Sequence, residues 1–240
     1  MMKKIIVIPA RLKSSRLANK LLLDLGGKSI IQRVYEQCLK AKNIDAIYIA
    51  VDENELKEHC SLFCNNVIMT DTNHQSGTDR IAEAISNIDC DAVINVQGDE
   101  PFIDPNLIET IANCLDSEEM VSAKCKLEKL DDIKNPNNVK VITDCNSKAI
   151  YFSRAAIPFN RDGVDVEKID YFKHLGIYGY SKKFLIKYAQ MKPTRLEITE
   201  KLEQLRVIEN GFSIHMVQTT HNAIGIDTLE DYNEAQQHFL

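Results

Sequence analysis

The sequence predicts an α/β protein with a mostly parallel central sheet, and two observations carry that expectation. Apolar runs at residues 5–8, 46–51 and 92–96 are continuous rather than alternating, as strands buried on both faces read. Between them lie segments whose apolar residues recur at helical spacing. Strand and helix in alternation imply right-handed crossovers and parallel neighbours. A length of 240 residues suits one domain with one good core.

The elements follow in order. After the first strand comes a polar loop, and Gly26-Gly27 turn the chain into a helix over 29–41. There Ile30, Ile31, Val34, Tyr35 and Cys38 share one face and Ser29 is the cap. The strand at 46–51 is followed by a helix reaching about residue 63 and a short strand at 67–69. A second polar loop, 72–80, precedes a helix carrying Ile81, Ala82, Ala84, Ile85 and Ile88. The strand at 92–96 ends in Gln97-Gly98-Asp99-Glu100-Pro101, and a helix starts near Pro105. Residues 120–127 continue the sheet. Residues 139–142 and 149–152 read as a hairpin about a polar turn. Little periodicity marks 153–173, a long functional loop or excursion. A strand at 175–180, opened by His174, leads to a helix over 181–190. Another helix is expected over 198–210, with Leu202, Leu205 and Ile208 inward and Gly211 ending it. A late strand at 213–217 and an acid-rich helix after residues 224–228 close the chain.

Composition sets limits. A hydrophobic content of 44% and a charged content of 27% are ordinary for a soluble globular protein, and the net charge of -6 disfavours nucleic acid and anionic membrane as partners. The seven cysteines are scattered without a C-x-x-C pair, so free thiols and a cytoplasmic location are expected. Cys60 and Cys64 read as buried apolar side chains. No run approaches membrane-spanning length.

Chemistry concentrates in a few places. Between residues 9 and 20 stand Arg11, Lys13, Arg16 and Lys20, with Ser14 and Ser15 and no acid. Four cations directly after a buried first strand make a polyanion site, because α/β sheets bind ligands at the carboxyl ends of their strands. Neither a Walker loop nor a G-x-G-x-x-G fingerprint is present, so side chains must carry much of a phosphate cradle. That absence also argues against a nicotinamide dehydrogenase. Asp99, just past the end of a central strand, is placed to hold Mg²⁺ against a triphosphate. No Ser-His-Asp or Cys-His arrangement is legible.

Pro9-Ala10-Arg11, Ser14, Arg16-Leu17 and Lys20 resemble the amino-terminal signature of the sugar nucleotidylyltransferases that make CMP-activated acidic sugars. The resemblance is strongest to the 3-deoxy-manno-octulosonate cytidylyltransferases, with Ala18-Asn19 where relatives show Pro-Gly. It extends over nearly the whole chain and implies a Rossmann-like nucleotide-diphospho-sugar transferase fold over residues 1–240. A small β-rich excursion around 138–180 would help form a homodimer. It implies CTP as nucleotide, held by Pro9, Ala10, Arg11, Ser14, Arg16, Lys20, Ser76, Gly77, Thr78 and Arg80. Arg11, Arg16, Lys20 and Asp99 would be catalytic, and Asp99 and Asp227 would hold Mg²⁺. Gln97, Arg154, His174, Tyr178, Glu203 and Gln204 would contact the acidic sugar, 3-deoxy-D-manno-octulosonate (Kdo), on the way to lipopolysaccharide.

Plainer readings stand beside these. The loop at 72–80 could be only a capped polar loop, His174 a satisfied packing residue, Glu203 and Gln204 the solvated side of a helix, and Asp227 or Thr228 a helix cap. Rival functions are a cytidylyltransferase for the 8-amino sugar or a sialic acid, and a nucleotide-binding regulatory protein without turnover.

Overall fold

The computed structural model describes residues 2–13, 17–74, 76–161, 163, 169–221 and 225–239. The first strand, β1 (Lys4–Ala10), is buried along its whole length. Strand alternation sends Ile5 and Val7 to one face and Ile6 and Ile8 to the other, and helices cover both. Helix α1 (Ile30–Cys38) begins at Ser29, whose Oγ accepts the Gln32 amide at 3.3 Å. Strand β2 (Ala46–Val51), helix α2 (Asn54–Ser61) and strand β3 (Val67–Met69) follow. Helix α3 (Gly77–Ala84) is capped by Ser76, whose Oγ accepts the Asp79 amide at 3.1 Å. Next come β4 (Ala92–Asn95), α4 (Pro105–Cys114) and β5 (Met120–Leu127).

The second half holds the differences from expectation. A short helix, α5 (Leu130–Lys134), lies where none was foreseen, ahead of the hairpin β6 (Lys140–Thr143) and β7 (Ala149–Ser153). Strand β8 (Tyr171–Ser181) starts four residues before the expected 175, so the loop after the hairpin is shorter. Tyr171 is what extends it: the ring buries with Leu127 and Ile133 in a small cluster of its own. Helix α6 (Lys182–Ala189) matches expectation. The helix expected over 198–210 is two, α7 (Arg195–Glu200) and α8 (Leu205–Glu209), separated by Lys201 in the left-handed region at φ 55°. Arg154 accounts for the break. Its Nε donates to the Glu200 carbonyl at 2.8 Å and its Nη2 to that of Lys201 at 3.4 Å, taking acceptors a continuous helix would use. Arg206 spans the break to Glu197 with bonds of 2.8 and 2.5 Å. Strand β9 (His215–Thr219) and helix α9 (Leu229–Gln236) complete the chain.

The sheet runs β3-β2-β1-β4-β8-β5-β9, with β6 and β7 attached beside β8. Along that path only β8 opposes its neighbours: it is antiparallel to β4 and to β5, and the remaining pairings are parallel. One face carries α1, α2 and α4 through Val34, Leu56 and Ile111, and the other carries α3, α6 and α8 through Ile81, Phe184 and Leu205. Cys60 and Cys64 are buried, as expected, and all seven cysteines are free. Burial pushes the Cys60 thiol up to about 12, which keeps it protonated and inert. Among the described residues no helix is long and apolar enough to cross a membrane.

Gly98, just beyond β4, is a point of close approach. A Cβ there would stand 3.1 Å from the Pro9 carbonyl oxygen and 3.1 Å from Ile31 Cδ1. The carbonyl belongs to β1 and cannot yield. Gly98→Ala is expected to destabilise by about 1–3 kcal/mol, the usual effect of overpacking, read as a lower midpoint in urea. An unchanged midpoint would show that the two strand ends can part.

Candidate active site

At the carboxyl ends of β1 and β4 lies a cleft of about 290 Å³. From β1 and its loop come Pro9, Arg11, Lys13 and Lys20, from α3 Gly77, from the end of β4 Gln97 and Asp99, and from the segment before α9 Asp227. Ala10 is buried in the strand beneath. Ser14 and Arg16 lie outside the described residues. The amino terminus of α3 borders the cleft through Gly77, which places the positive end of a helix dipole beside it.

The start of the loop is braced from behind. Asp52 Oδ1 accepts the Leu12 amide at 3.1 Å, and Asp52 Oδ2 meets Arg80 Nη2 at 3.4 Å. Arg80 Nη1 donates to Thr70 Oγ1 at 2.5 Å, and the side chain is fully buried. Arg80, assigned to the nucleotide by the resemblance, here braces Asp52, which holds the Leu12 amide of the cation loop.

The two aspartates converge. Lys20 Nζ lies 2.6 Å from Asp99 Oδ2 and 3.0 Å from Asp227 Oδ1. Burial alone would pull this ammonium down, but pairing with Asp99 and then Asp227 holds it above the usual lysine value. The Ile226 amide donates to the Asp99 carbonyl at 2.9 Å, so a main-chain bond also joins the two segments. Asp227 is not itself the cap of α9. Asp231 Oδ2 accepts the amides of Asp227 and Thr228, at 2.9 and 2.8 Å, and leaves the Asp227 carboxylate to Lys20. Two carboxylates aimed at one positive centre suit a hard divalent cation. Magnesium commonly takes one or two such groups and completes its shell with water and substrate phosphate. Among the described residues no group of three or more His, Cys, Asp or Glu side chains assembles a closed cage. The lysine assigned to phosphates thus sits between the acids in this structure.

Beside the acids lies a second group. Gln97 Nε2 donates to Asn95 Oδ1 at 3.1 Å, and Asn95 pairs across the sheet with Tyr178. The Tyr178 ring lies 5.4 Å from that of His174. Glu203 Oε2 accepts the Thr78 hydroxyl at 3.2 Å, so the break between α7 and α8 touches the first turn of α3. Burial raises the carboxyl of Glu203 and the phenol of Tyr178 above their usual ranges. Glu203 Oε1 is buried and finds no hydrogen-bond partner among the described residues. Glu203 and Gln204 are therefore not a solvated helix side, because Lys201 turns them inward.

His174 has a different part from the one expected. Ser122 Oγ has one proton, and carbonyls of Ile177 and Leu175 at 2.9 and 3.3 Å compete for it. The imidazole must then donate to Ser122 Oγ from Nε2, 3.0 Å away, and accept at Nδ1 from Gln204 Nε2 at 3.5 Å. Burial and the nearby Lys173 charge pull this ring down to about 3, so it is neutral. In this network the ring supports Gln204, as a satisfied packing residue does. Arg154 is engaged by the protein's own main chain. Beyond the two carbonyls at the helix break, its Nη1 donates to the Pro136 carbonyl at 3.1 Å.

Three residues of the site carried no assignment from sequence. Lys13 was only one of four loop cations. Asp52 only led from the second strand toward a helix. Glu100 follows Asp99 directly, and that adjacency was the available signal. Burial, then the Asp99 charge, push the Glu100 carboxyl up to about 8, and its Oε2 is buried with no partner among the described residues.

The neutral state of His174 has a pH signature. An unfolded histidine titrates near 6.5, whereas His174 folded titrates at about 3. Its contribution to stability is full above pH 6.5 and is lost as pH falls from there toward 3. Over that window the native chain is expected to lose up to about 1.4 kcal/mol per pH unit more than a His174→Gln variant, measured by urea unfolding. Parallel profiles would mean that His174 takes up its proton while folded.

A family model described as cytidylyltransferase matches residues 5–216. A 3-deoxy-manno-octulosonate cytidylyltransferase of Francisella tularensis subsp. novicida is 48% identical, covering 98% of this chain and 97% of its own. The enzyme of the same name from Trichlorobacter lovleyi is 42% identical over 98% of each chain. Among solved structures, a CMP:2-keto-3-deoxy-manno-octonic acid synthetase complexed with CTP superposes with a TM-score of 0.93 at 35% identity, covering 98% of both chains. A 4-diphosphocytidyl-2C-methyl-D-erythritol synthase from Anaerococcus prevotii, 16% identical with a TM-score of 0.65, shares the fold alone. Matched along its full length and in its fold, this chain belongs to the cytidylyltransferase family, alongside the 3-deoxy-manno-octulosonate cytidylyltransferases.

Proposed function

We propose that this chain transfers CMP from CTP to the anomeric hydroxyl of Kdo, giving CMP-Kdo and pyrophosphate. The observation that carries the reading is the meeting of Lys20, Asp99 and Asp227 in a cleft shared with Arg11, Gly77 and Gln97. In the reaction the anomeric oxygen attacks the α-phosphorus, the bond to the β-phosphate oxygen breaks, and pyrophosphate leaves in line. Such chemistry depends on positioning and charge neutralisation rather than on a protein nucleophile. Arg11 and Lys13, with Arg16 from the same loop, would draw the β- and γ-phosphates and stabilise the leaving group. Lys20 adds its charge from between the acids. Gly77 and Thr78, at the start of α3, border the nucleotide, and Gln97 stands where nucleotide and sugar meet. Tyr178, Glu203 and Gln204 form the sugar side, where hydroxyls need acceptors as well as donors. Asp99 and Asp227 would hold Mg²⁺, which when bound neutralises triphosphate charge and makes the attacking hydroxyl more acidic. The same reading takes the enzyme as a cytoplasmic homodimer serving lipopolysaccharide synthesis, and seven free thiols accord with a reducing compartment.

Pyrophosphate release measured across nucleotides and sugars tests the reading. CTP with Kdo is expected to give the highest kcat/KM. Preference for the 8-amino sugar, or turnover only with a sialic acid, would overturn the substrate and leave the transfer chemistry. CTP binding without turnover on any sugar would favour a regulatory protein.

Two sets of variants test the roles. Lys20→Ala is expected to lose on the order of 2–4 kcal/mol of transition-state stabilisation, as when a preorganised charge is removed, and near-normal turnover would reduce Lys20 to a structural pair. Asp99→Asn and Asp227→Asn are each expected to stay folded by circular dichroism and to lose Mg²⁺-dependent turnover. A native Mg²⁺ requirement in Asp227→Asn would exclude that carboxylate from the metal.

A further inference from the structure

The three charges at the centre of the cleft are carried by three segments distant in sequence, and a single satellite cluster fastens all three. Leu25, Ile30, Ile226 and Ala235 are fully buried together, with Leu17, Phe102 and Tyr232 packed against them. Leu17 and Leu25 flank the Lys20 stretch, Phe102 follows Asp99 by three residues, and Ile226 precedes Asp227. The end of the chain closes over this cluster. The Phe102 ring lies 5.0 Å from His238 and is stacked on Phe239 at 5.8 Å. The Phe102 carbonyl accepts His221 Nε2 at 2.8 Å, which pins the same loop from its main chain.

Phe239 is gripped from the other side as well. The Arg33 guanidinium stands 4.3 Å over its ring while donating to the carbonyls of Leu25 and Gly26. Gly26 has φ +65°, and a Cβ there would lie 2.7 Å from Phe239 Cβ, so the turn admits the tail only as glycine. Tyr232 Oη donates to the Asp24 carbonyl at 2.6 Å. The stretch from Asp227 to Phe239 is thus tied at both ends: to Asp99 by the Ile226 amide, and to the turn after Lys20 and the loop after Asp99 by its final rings.

We infer that this carboxy-terminal aromatic clasp, Phe239 and His238 on Phe102 and Arg33, sets the spacing of Asp99 and Asp227 and thereby the affinity of the acid pair for a divalent cation. It rests on the reading that these acids hold the metal. Phe239 touches neither substrate nor reacting atoms and is a positioning residue. Partners that hold metal ligands in place commonly change metal affinity by about 10–100-fold when removed.

The test uses the full-length protein and Mn²⁺ as probe. Free Mn²⁺ is measured by electron paramagnetic resonance to give Kd for the native chain, Phe239→Ala, Phe239→Leu, Asp99→Asn and Asp227→Asn. The Mg²⁺ concentration for half-maximal pyrophosphate release is measured beside it. Phe239 is 37% exposed, so its replacement leaves the buried sheet intact, and Phe239→Leu keeps bulk at the site if alanine unfolds the tail. Phe239→Ala is expected to weaken Mn²⁺ and raise the Mg²⁺ requirement about tenfold, with kcat at saturating Mg²⁺ within about twofold of native and Phe239→Leu between the two. Native Mn²⁺ affinity in Phe239→Ala, with binding lost in both aspartate variants, overturns the clasp and leaves the metal site. Native Mn²⁺ affinity in the aspartate variants overturns both. A fall in melting temperature or kcat without change in either metal measure makes the clasp mere terminal packing.

Discussion

Everything in the cleft depends on Lys20 standing between Asp99 and Asp227. Two carboxylates held within a few ångströms repel by roughly 4 kcal/mol at the effective dielectric of a protein surface, and the shared ammonium offsets that repulsion. The partners are separated by 79 and 207 residues, so no local preference brings them together. The sheet does. β1 and β4 are parallel neighbours in register, Val7 opposite Asn95, so the chain leaving β1 toward Lys20 and the chain leaving β4 toward Asp99 emerge side by side. Asp227 reaches them late, through the Ile226 bond to the Asp99 carbonyl.

Much of the fold was legible because its signals are local. Continuous apolar runs gave the central strands, Ser29 and Ser76 cap the helices they precede, and Gly211 lies in the left-handed region at the end of α8. Two features escaped because their causes are distant. β8 begins at Tyr171 because of a cluster with Leu127 and Ile133. The chain breaks at Lys201 because Arg154, far back in sequence, claims its carbonyl and that of Glu200.

The site divides in the same way. Arg11 on the cation loop and Asp99 past β4 could be placed from position alone, since a strand's carboxyl end fixes where the following residues start, whereas Pro9 and Gln97 came from the resemblance. Arg80 and Arg154 hold the protein's own loops and backbone, and His174 holds Gln204, bonds that motif position did not foretell. An arginine in a motif says that a fork of donors is needed. It does not say whether the acceptor is a ligand or a carbonyl. Sequence also hid Asp52 and Glu100, whose importance is environmental: one lies between Arg80 and the Leu12 amide, the other is buried beside Asp99.

On the proposed reading, the antiparallel strand is what sets the phosphate and sugar sides next to each other. The order β3-β2-β1-β4 places the switch in strand order beside β1, where open α/β sheets bind ligands outside the strand ends. A further parallel strand next to β4 would send only its end to that cleft. β8 runs the other way and continues past β4, so its middle lies against the end of β4, with Tyr178 opposite Asn95 and Gly176 within reach of Gln97 and Glu100. Side chains from within a rigid strand therefore border the site on one flank, while loops supply the cations on the other. The helix break at Lys201 then brings Glu203 and Gln204 down onto Thr78 and His174. In the proposed reading, the flank that discriminates among hydroxyls is built on the sheet, and the flank that neutralises a triphosphate is built on a loop.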